Sequence, residues 1–138
     1  MDNKEIFEIN LNSEANIIKK IEPFFYKIKD NLKVKDDIFY NMLVAITEGL
    51  NNAIMHGNKS QSEKKIYFKA TLENDIITVL IKDEGKGFNP ELVADPREPE
   101  NLMKSHGRGV FLIKHLASSY KYTFNSDGTT LEMIFKIK

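Results

Sequence analysis

The first regular pattern in the chain is an alternation: in residues 6–11, IFEINL, Phe7, Ile9 and Leu11 share one face and predict a strand. After Ser13, a residue able to cap a helix, the period changes to three and four at Ile17, Ile21, Phe24, Phe25, Ile28 and Leu32. Pro23 falls inside that run and predicts either a kink or a helix that begins later than Ser13. A second helix, capped by Asp36 or Asp37, carries Ile38, Met42, Ala45, Ile46, Ala53 and Ile54 and ends at Gly57. At a rise of roughly 1.5 Å per residue it would be about 30 Å long. Residues 65–72 (KIYFKATL) and 76–82 (IITVLIK), joined by Glu73-Asn74-Asp75, predict an antiparallel hairpin. Gly109 is expected to open a third helix reaching about Ser119, with Val110, Ile113 and Ala117 on one face and Leu112 and Leu116 beside it. YKYTF and TTLEMIFKIK then flank an Asn125-Ser126-Asp127-Gly128 turn, and Leu131, Met133, Phe135 and Ile137 alternate. The predicted order is β-α-α-β-β-loop-α-β-β. Such an order buries its apolar faces best as an α+β fold, a two-layer α/β sandwich in which helices cover one face of a mostly antiparallel sheet.

Composition narrows this framework. With 138 residues, 41% hydrophobic and 29% charged, the chain is expected to form one soluble domain. Twenty basic and twenty acidic residues cancel, so no general attraction to nucleic acid or membrane is expected, and binding must come from a local site. The absence of cysteine excludes disulfides, thiol nucleophiles and cysteine-ligated zinc. The charged start, MDNKEIFEINLNSE, has no apolar run of signal-peptide length, and no segment approaches the roughly 20 apolar residues of a membrane span. A cytoplasmic protein is the expectation.

Four short stretches carry candidate chemistry. In the second helix, Glu48 and Asn52 lie four residues apart, within about 40° of each other at roughly 100° per residue, and can converge on one ligand. A glutamate can act as general base, and an amide oxygen suits Mg²⁺, a hard cation that keeps waters and shares phosphates. The ordinary alternative places Glu48 in solvent and has Asn51 or Asn52 capping a loop. Next, directly after an apolar strand, Asp83-Glu84-Gly85-Lys86-Gly87-Phe88 offers a carboxylate able to accept from an exocyclic amine and two glycines that let backbone approach a flat ligand, or else a simple tight turn. Gly107-Arg108-Gly109 precedes the third helix, where free amides favour phosphate, although hinge or capping roles also fit; Arg108 is suited to phosphate or to a protein partner. Finally, Gly128-Thr129-Thr130 opens the last strand, where Thr129 could complete a base-reading site with Asp83 or be routine strand threonine. No GxxxxGK[ST], Rossmann GxGxxG, HRD or DFG element occurs, and His56, His106 and His115 lack zinc-site spacing.

In order, these four stretches resemble the N box, the two glycine boxes and the GT box of the GHKL superfamily, which includes gyrase, the heat-shock chaperone, histidine kinases and the mismatch-repair ATPases. The resemblance spans about residues 5–138. It is nearest to the small anti-sigma factor serine kinases, through the GRGVFLI form of the second glycine box and a lid-like Asp95-Pro96 with Pro99-Glu100-Asn101-Leu102. It implies a histidine-kinase-like ATPase fold over residues 1–138, with an ATP lid at about 89–107. It implies an ATP- and Mg²⁺-dependent serine/threonine-protein kinase that phosphorylates a STAS-domain anti-anti-sigma protein and otherwise sequesters a sigma factor. Carried over by position, Glu48 would be the base, Asn52 the Mg²⁺ ligand, and Asp83 and Thr129 the adenine readers. Gly85 and Gly87 would shape the adenine pocket, Gly107, Arg108 and Gly109 would lie by the phosphates, and Arg108 would also meet a partner. A homodimer is implied too. Two readings compete: an ATP-binding regulatory module without kinase activity, and a kinase of the same family acting on a non-sigma cascade.

Overall fold

The structure, a computed structural model, describes residues 4–14, 16–31, 34–58, 63–85 and 105–137. Its elements follow the predicted order: β1 (Glu5–Asn12), α1 (Ile17–Asn31), α2 (Asp36–Asn52), β2 (Lys65–Glu73), β3 (Ile76–Lys82), α3 (Ser105–Leu116), β4 (Ser119–Asn125) and β5 (Gly128–Lys136). The sheet is antiparallel throughout, in the order β1-β2-β3-β5-β4. Leu11, Phe68, Val79, Ile81, Leu131, Met133 and Phe135 point from it into the core, against Ile21, Phe24, Ile28, Met42, Ile46, Leu50 and Ile113 of the helices. A cluster at one end, Phe24 with its ring 5.6 Å from Phe7 and 5.5 Å from Phe68, fixes α1 to the sheet. At the β2–β3 hairpin, Asn74 and Asp75 adopt φ of 54° and 62°, the two positive angles that a tight hairpin turn needs and that Asn and Asp tolerate.

Several helix boundaries differ from those read in the sequence. Helix α1 begins later than Ser13, as one of the two expectations drawn from Pro23 had it, and continues through that proline; Ser13 does not cap it but is buried, its amide bonded to the Lys64 carbonyl at 2.9 Å and its hydroxyl without a partner among the described residues. Leu32 lies outside the described residues. Helix α2 has Lys35, not an aspartate, at its cap position; Asp36 and Asp37 occupy the first turn, where their charge opposes the positive end of the helix dipole. Its regular part ends at Asn52 and the chain runs on to Gly57 as one π turn, closed by Asn58 N–H to the Ala53 carbonyl at 2.8 Å. Helix α3 starts at Ser105 rather than Gly109, so Gly107 and Gly109 lie within it. Among the described residues no helix is long and apolar enough to cross a membrane.

Candidate functional site

The strand side of the site is built where β3 ends. Asp83 extends the ladder by one step, its N–H donating to the Thr129 carbonyl at 2.9 Å. Its carboxylate turns inward and is 6% exposed. Oδ1 accepts the Gly85 N–H at 2.8 Å and the Thr129 N–H at 3.2 Å, while Oδ2 makes no hydrogen bond among the described residues. Burial pushes the Asp83 carboxyl above the usual range; the two amides and the charge of Lys64 pull the other way. Gly128 makes this approach possible: its φ is +153°, and a Cβ there would stand 1.9 Å from the Asp83 carbonyl oxygen. Beside it, the Thr129 hydroxyl is buried with no partner among the described residues.

The helix side is carried by α2 and α3. Gly49 lets α2 settle on the sheet, since a Cβ would meet Ile81 Cδ1 and Leu131 Cδ2 at 3.0 Å. One turn on, Asn52 is 7% exposed, and its Nδ2 makes no regular hydrogen bond among the described residues. The Tyr122 hydroxyl lies near enough to the Asn52 side chain to feel it, but burial dominates and drives the phenol far above its ordinary pKa. Glu48 is half-buried. Gly109 of α3 packs onto both: a Cβ there would lie 3.0 Å from each terminal atom of Asn52 and 3.2 Å from Glu48 Oε2. The two helices therefore cross closely at a glycine, with a carboxylate and an amide in the crossing.

The two sides share an open cleft of about 260 Å³, whose polar lining is Asn52, Asp83, Thr129 and Tyr122 over a floor of Ile81 and Leu131. Six of the residues singled out in the sequence are thus gathered: Glu48, Asn52 and Gly109 at the helix crossing, Asp83, Gly85 and Thr129 at the strand ends. Gly87 and the lid segment before α3 lie outside the described residues, as does the side chain of Arg108; Gly107 contributes only a position in the first turn of α3. Among the described residues no three acidic or histidine side chains gather as a metal cage. A hard cation here would take one amide oxygen from the protein and complete its shell with phosphate and water. A second cleft, of about 290 Å³ between α1 and the β1–β2 end of the sheet, is apolar; its charged groups, Glu5 and Lys27, pair with each other at 3.2 Å.

Two residues of the site were not anticipated. Asn58, fully buried after the π turn, donates to the Lys65 carbonyl at 3.0 Å and accepts the Glu84 N–H at 2.7 Å, tying the end of α2 to β2 and to the turn after Asp83. Its position just past Gly57 was the available clue, since an amide after a helix-ending glycine is placed to bond exposed backbone. Tyr122 lies in YKYTF, a stretch from which no side chain was singled out.

Residues 13–135 match the model of the histidine kinase-like ATPase domain, and the chain belongs to that family. Among its relatives, the serine-protein kinase RsbW of Staphylococcus epidermidis is 25% identical over 142 aligned positions, covering 98% of this chain and 89% of that protein. The anti-sigma F factor of Bacillus subtilis is 35% identical over 93, covering 64% and 62%. In fold, the crystal structure of the RsbU and RsbW domains of Rv1364c from Mycobacterium tuberculosis matches 96% of this chain and 32% of that one, with a TM-score of 0.70 at 17% identity. The expected kinship with anti-sigma kinases of the GHKL group, and the expected sandwich, are both borne out.

Proposed function

We propose that the protein is an ATP-dependent serine/threonine-protein kinase and anti-sigma factor, acting on a STAS-domain anti-anti-sigma protein and holding a sigma factor when that partner is phosphorylated. The observation that carries this reading is the single cleft joining the buried Asp83 carboxylate to an orphaned Asn52 amide, with Glu48 beside it across Gly109. Names of the relatives supply the substrate class: one is a serine-protein kinase, another an anti-sigma factor.

In this reading Asp83 Oδ2 accepts from the adenine amine, and the Thr129 hydroxyl, already dehydrated, pairs with the ring. Gly85 and Gly87 let the backbone lie against the base. Gly107, Arg108 and Gly109 border the phosphates at the start of α3, where the helix dipole favours negative charge; Arg108 also reaches a partner. Asn52 would hold Mg²⁺, which when bound neutralises charge on the phosphates. Glu48 takes the proton of the incoming serine hydroxyl as its oxygen bonds to the γ-phosphorus and the bond to the β–γ bridging oxygen breaks, releasing ADP. The segment at about 89–107 closes over the nucleotide and excludes water. Residues 1–138 act as one cytoplasmic, homodimeric unit, without direct contact to nucleic acid or membrane.

The test is calorimetric titration with ATP, with and without Mg²⁺, followed by transfer of labelled γ-phosphate to purified STAS-domain proteins. Glu48→Gln is expected to lower transfer by about 10²- to 10⁴-fold while ATP affinity stays within a few-fold. Equal loss of both would remove the base role. ATP binding with no phosphate on any acceptor would replace the kinase with a nucleotide-dependent binding module.

A further inference from the structure

Successive backbone amides beyond β3 are each held by a different part of the fold. Asp83 N–H donates to the Thr129 carbonyl of β5 at 2.9 Å, and Gly85 N–H donates to Asp83 Oδ1 at 2.8 Å. Between them, Glu84 N–H donates to Asn58 Oδ1 at 2.7 Å, a bond that comes from the far end of α2. Asn58 Nδ2 donates in turn to the Lys65 carbonyl at 3.0 Å, and Lys65 N–H donates to the Glu84 carboxylate. The bonds close a circuit from Asn58 to Lys65 to Glu84 and back, tying together the end of α2, the start of β2 and the turn after β3. Asn58 is fully buried within it, whereas Glu84 is exposed. An amide suits the buried place, because the Glu84 N–H needs an acceptor and the Lys65 carbonyl needs a donor on one short side chain.

We infer that Asn58, closed into this circuit with Glu84 and Lys65, is a positioning residue for the nucleotide, fixing the turn that presents Asp83 and Gly85 to the base. This role rests on the reading of the cleft as an ATP site and adds to it a residue outside the cleft. Rotation of the Glu84 peptide would swing Gly85 N–H away from Asp83 Oδ1 and re-aim Oδ2, the oxygen left for the adenine amine. Asn58 is not among the residues that line the cleft, so a substitution there removes no contact with a ligand in it. The backbone of Asn58 acts separately: its N–H closes the π turn on the Ala53 carbonyl at 2.8 Å, a bond that any residue except proline keeps. A change of the side chain alone therefore acts on the strand side of the cleft and leaves Asn52 in place on its helix.

The experiment is calorimetric titration of the full chain with ATP, first without metal and then with Mg²⁺, on variants whose folding is checked by circular dichroism. Metal-free affinity reads the aim of Asp83, and the gain on adding Mg²⁺ reads Asn52. Asn58→Ala is expected to weaken metal-free binding about tenfold and to leave the Mg²⁺-dependent gain within about twofold of the parent's. Should Asn58→Ala fail to fold, Glu84 opens the same circuit from its exposed side. Glu84→Ala and Glu84→Gln both remove the charge, but the glutamine oxygen can still accept from Lys65 N–H, so the alanine variant is expected to bind ATP about threefold more weakly than the glutamine one. ATP affinity at the parent level in Asn58→Ala, or equal affinity in the two Glu84 variants, overturns the positioning role and makes the circuit a clasp of the fold alone. Loss of metal-free affinity and of the Mg²⁺ gain together overturns it too, because the cleft would then loosen as a whole. A parent protein that binds no ATP overturns the nucleotide reading itself, a result seen before any variant is compared.

Discussion

The two sides of the cleft differ in how far their bonding is complete. On the strand side, Asp83 Oδ1 is held by two backbone amides and Gly128 is wedged against the Asp83 backbone, so the carboxylate is aimed before anything binds. On the helix side, Asn52 Nδ2 is buried with no regular hydrogen bond among the described residues, only the Tyr122 hydroxyl near its side chain, and Glu48 makes none. A buried, unsatisfied amide costs about 1–3 kcal/mol, and native proteins seldom keep one without a use. The contrast teaches that on the strand side the fold aims the Asp83 carboxylate and leaves only its Oδ2 and the Thr129 hydroxyl open, whereas on the helix side both working groups are left for a ligand to complete.

Substituting the two glycines tests that contrast most severely. Gly128→Ala drives a methyl group to 1.9 Å from a backbone oxygen that no side-chain movement can relieve. Loss of about 3 kcal/mol or more of folding stability is expected, checked by urea denaturation. Gly109→Ala meets side-chain atoms of Asn52 and Glu48 at 3.0–3.2 Å, which can yield by a few tenths of an ångström. Its cost in stability is expected to be about 1 kcal/mol or less, because alanine also favours the helix, while phosphate transfer falls about tenfold or more through displaced groups. If both variants lose stability equally, the helix side is as rigid as the strand side and the contrast fails.

Asn52→Leu comes next in size. It removes the amide with the same number of heavy atoms but bulkier methyl ends facing Gly109, so the free energy of unfolding is expected to stay within about 1 kcal/mol of the parent's in chemical denaturation. Mg²⁺-dependent strengthening of ATP binding should vanish in the same protein, as read by calorimetry. A clear loss of stability would mean that the amide is already satisfied in solution, and the helix side would no longer count as unfinished.

What could be read without the structure follows the same division. The buried faces of the strands, the β2–β3 hairpin and the apolar face of each helix were legible, because alternation at Leu131, Met133 and Phe135 or spacing at Ile17, Ile21, Phe24 and Ile28 reflects one-sided burial. Helix ends were less so. Gly109 looked like an opener because glycine disfavours helix interiors by about 1 kcal/mol, yet close approach of α3 to Asn52 outweighs that local preference. Ser13 looked like a cap, but its backbone is taken by Lys64, a residue far along the chain. The same limit hid Tyr122 and Asn58: their roles arise from β4 lying beside β5 and from a π turn that swings Asn58 inward, and neither contact leaves a periodic trace. Local pattern reports which face is buried; it does not report which polar groups meet across the cleft.

The smallest expected effect concerns Asp83 and distinguishes a carboxylate kept for binding from one kept for the fold. Because burial raises its pKa in the folded chain above the ordinary 3.8, the folded form holds its proton to higher pH than the unfolded form. Its stabilising contribution is therefore present in acid below that ordinary value and is lost as pH rises through the folded pKa. Asp83→Asn keeps an oxygen able to accept from Gly85 and Thr129 and never ionises. Thermal melts from about pH 3 to pH 8 should show the variant level with the parent protein in acid and modestly more stable near neutrality. The new amide donor would at the same time oppose an adenine amine, so ATP affinity should fall where stability rises. Opposite signs identify Asp83 as a group held ionised at a cost for a ligand; a variant less stable at neutral pH would instead make the carboxylate a structural bond of the β3–β5 junction.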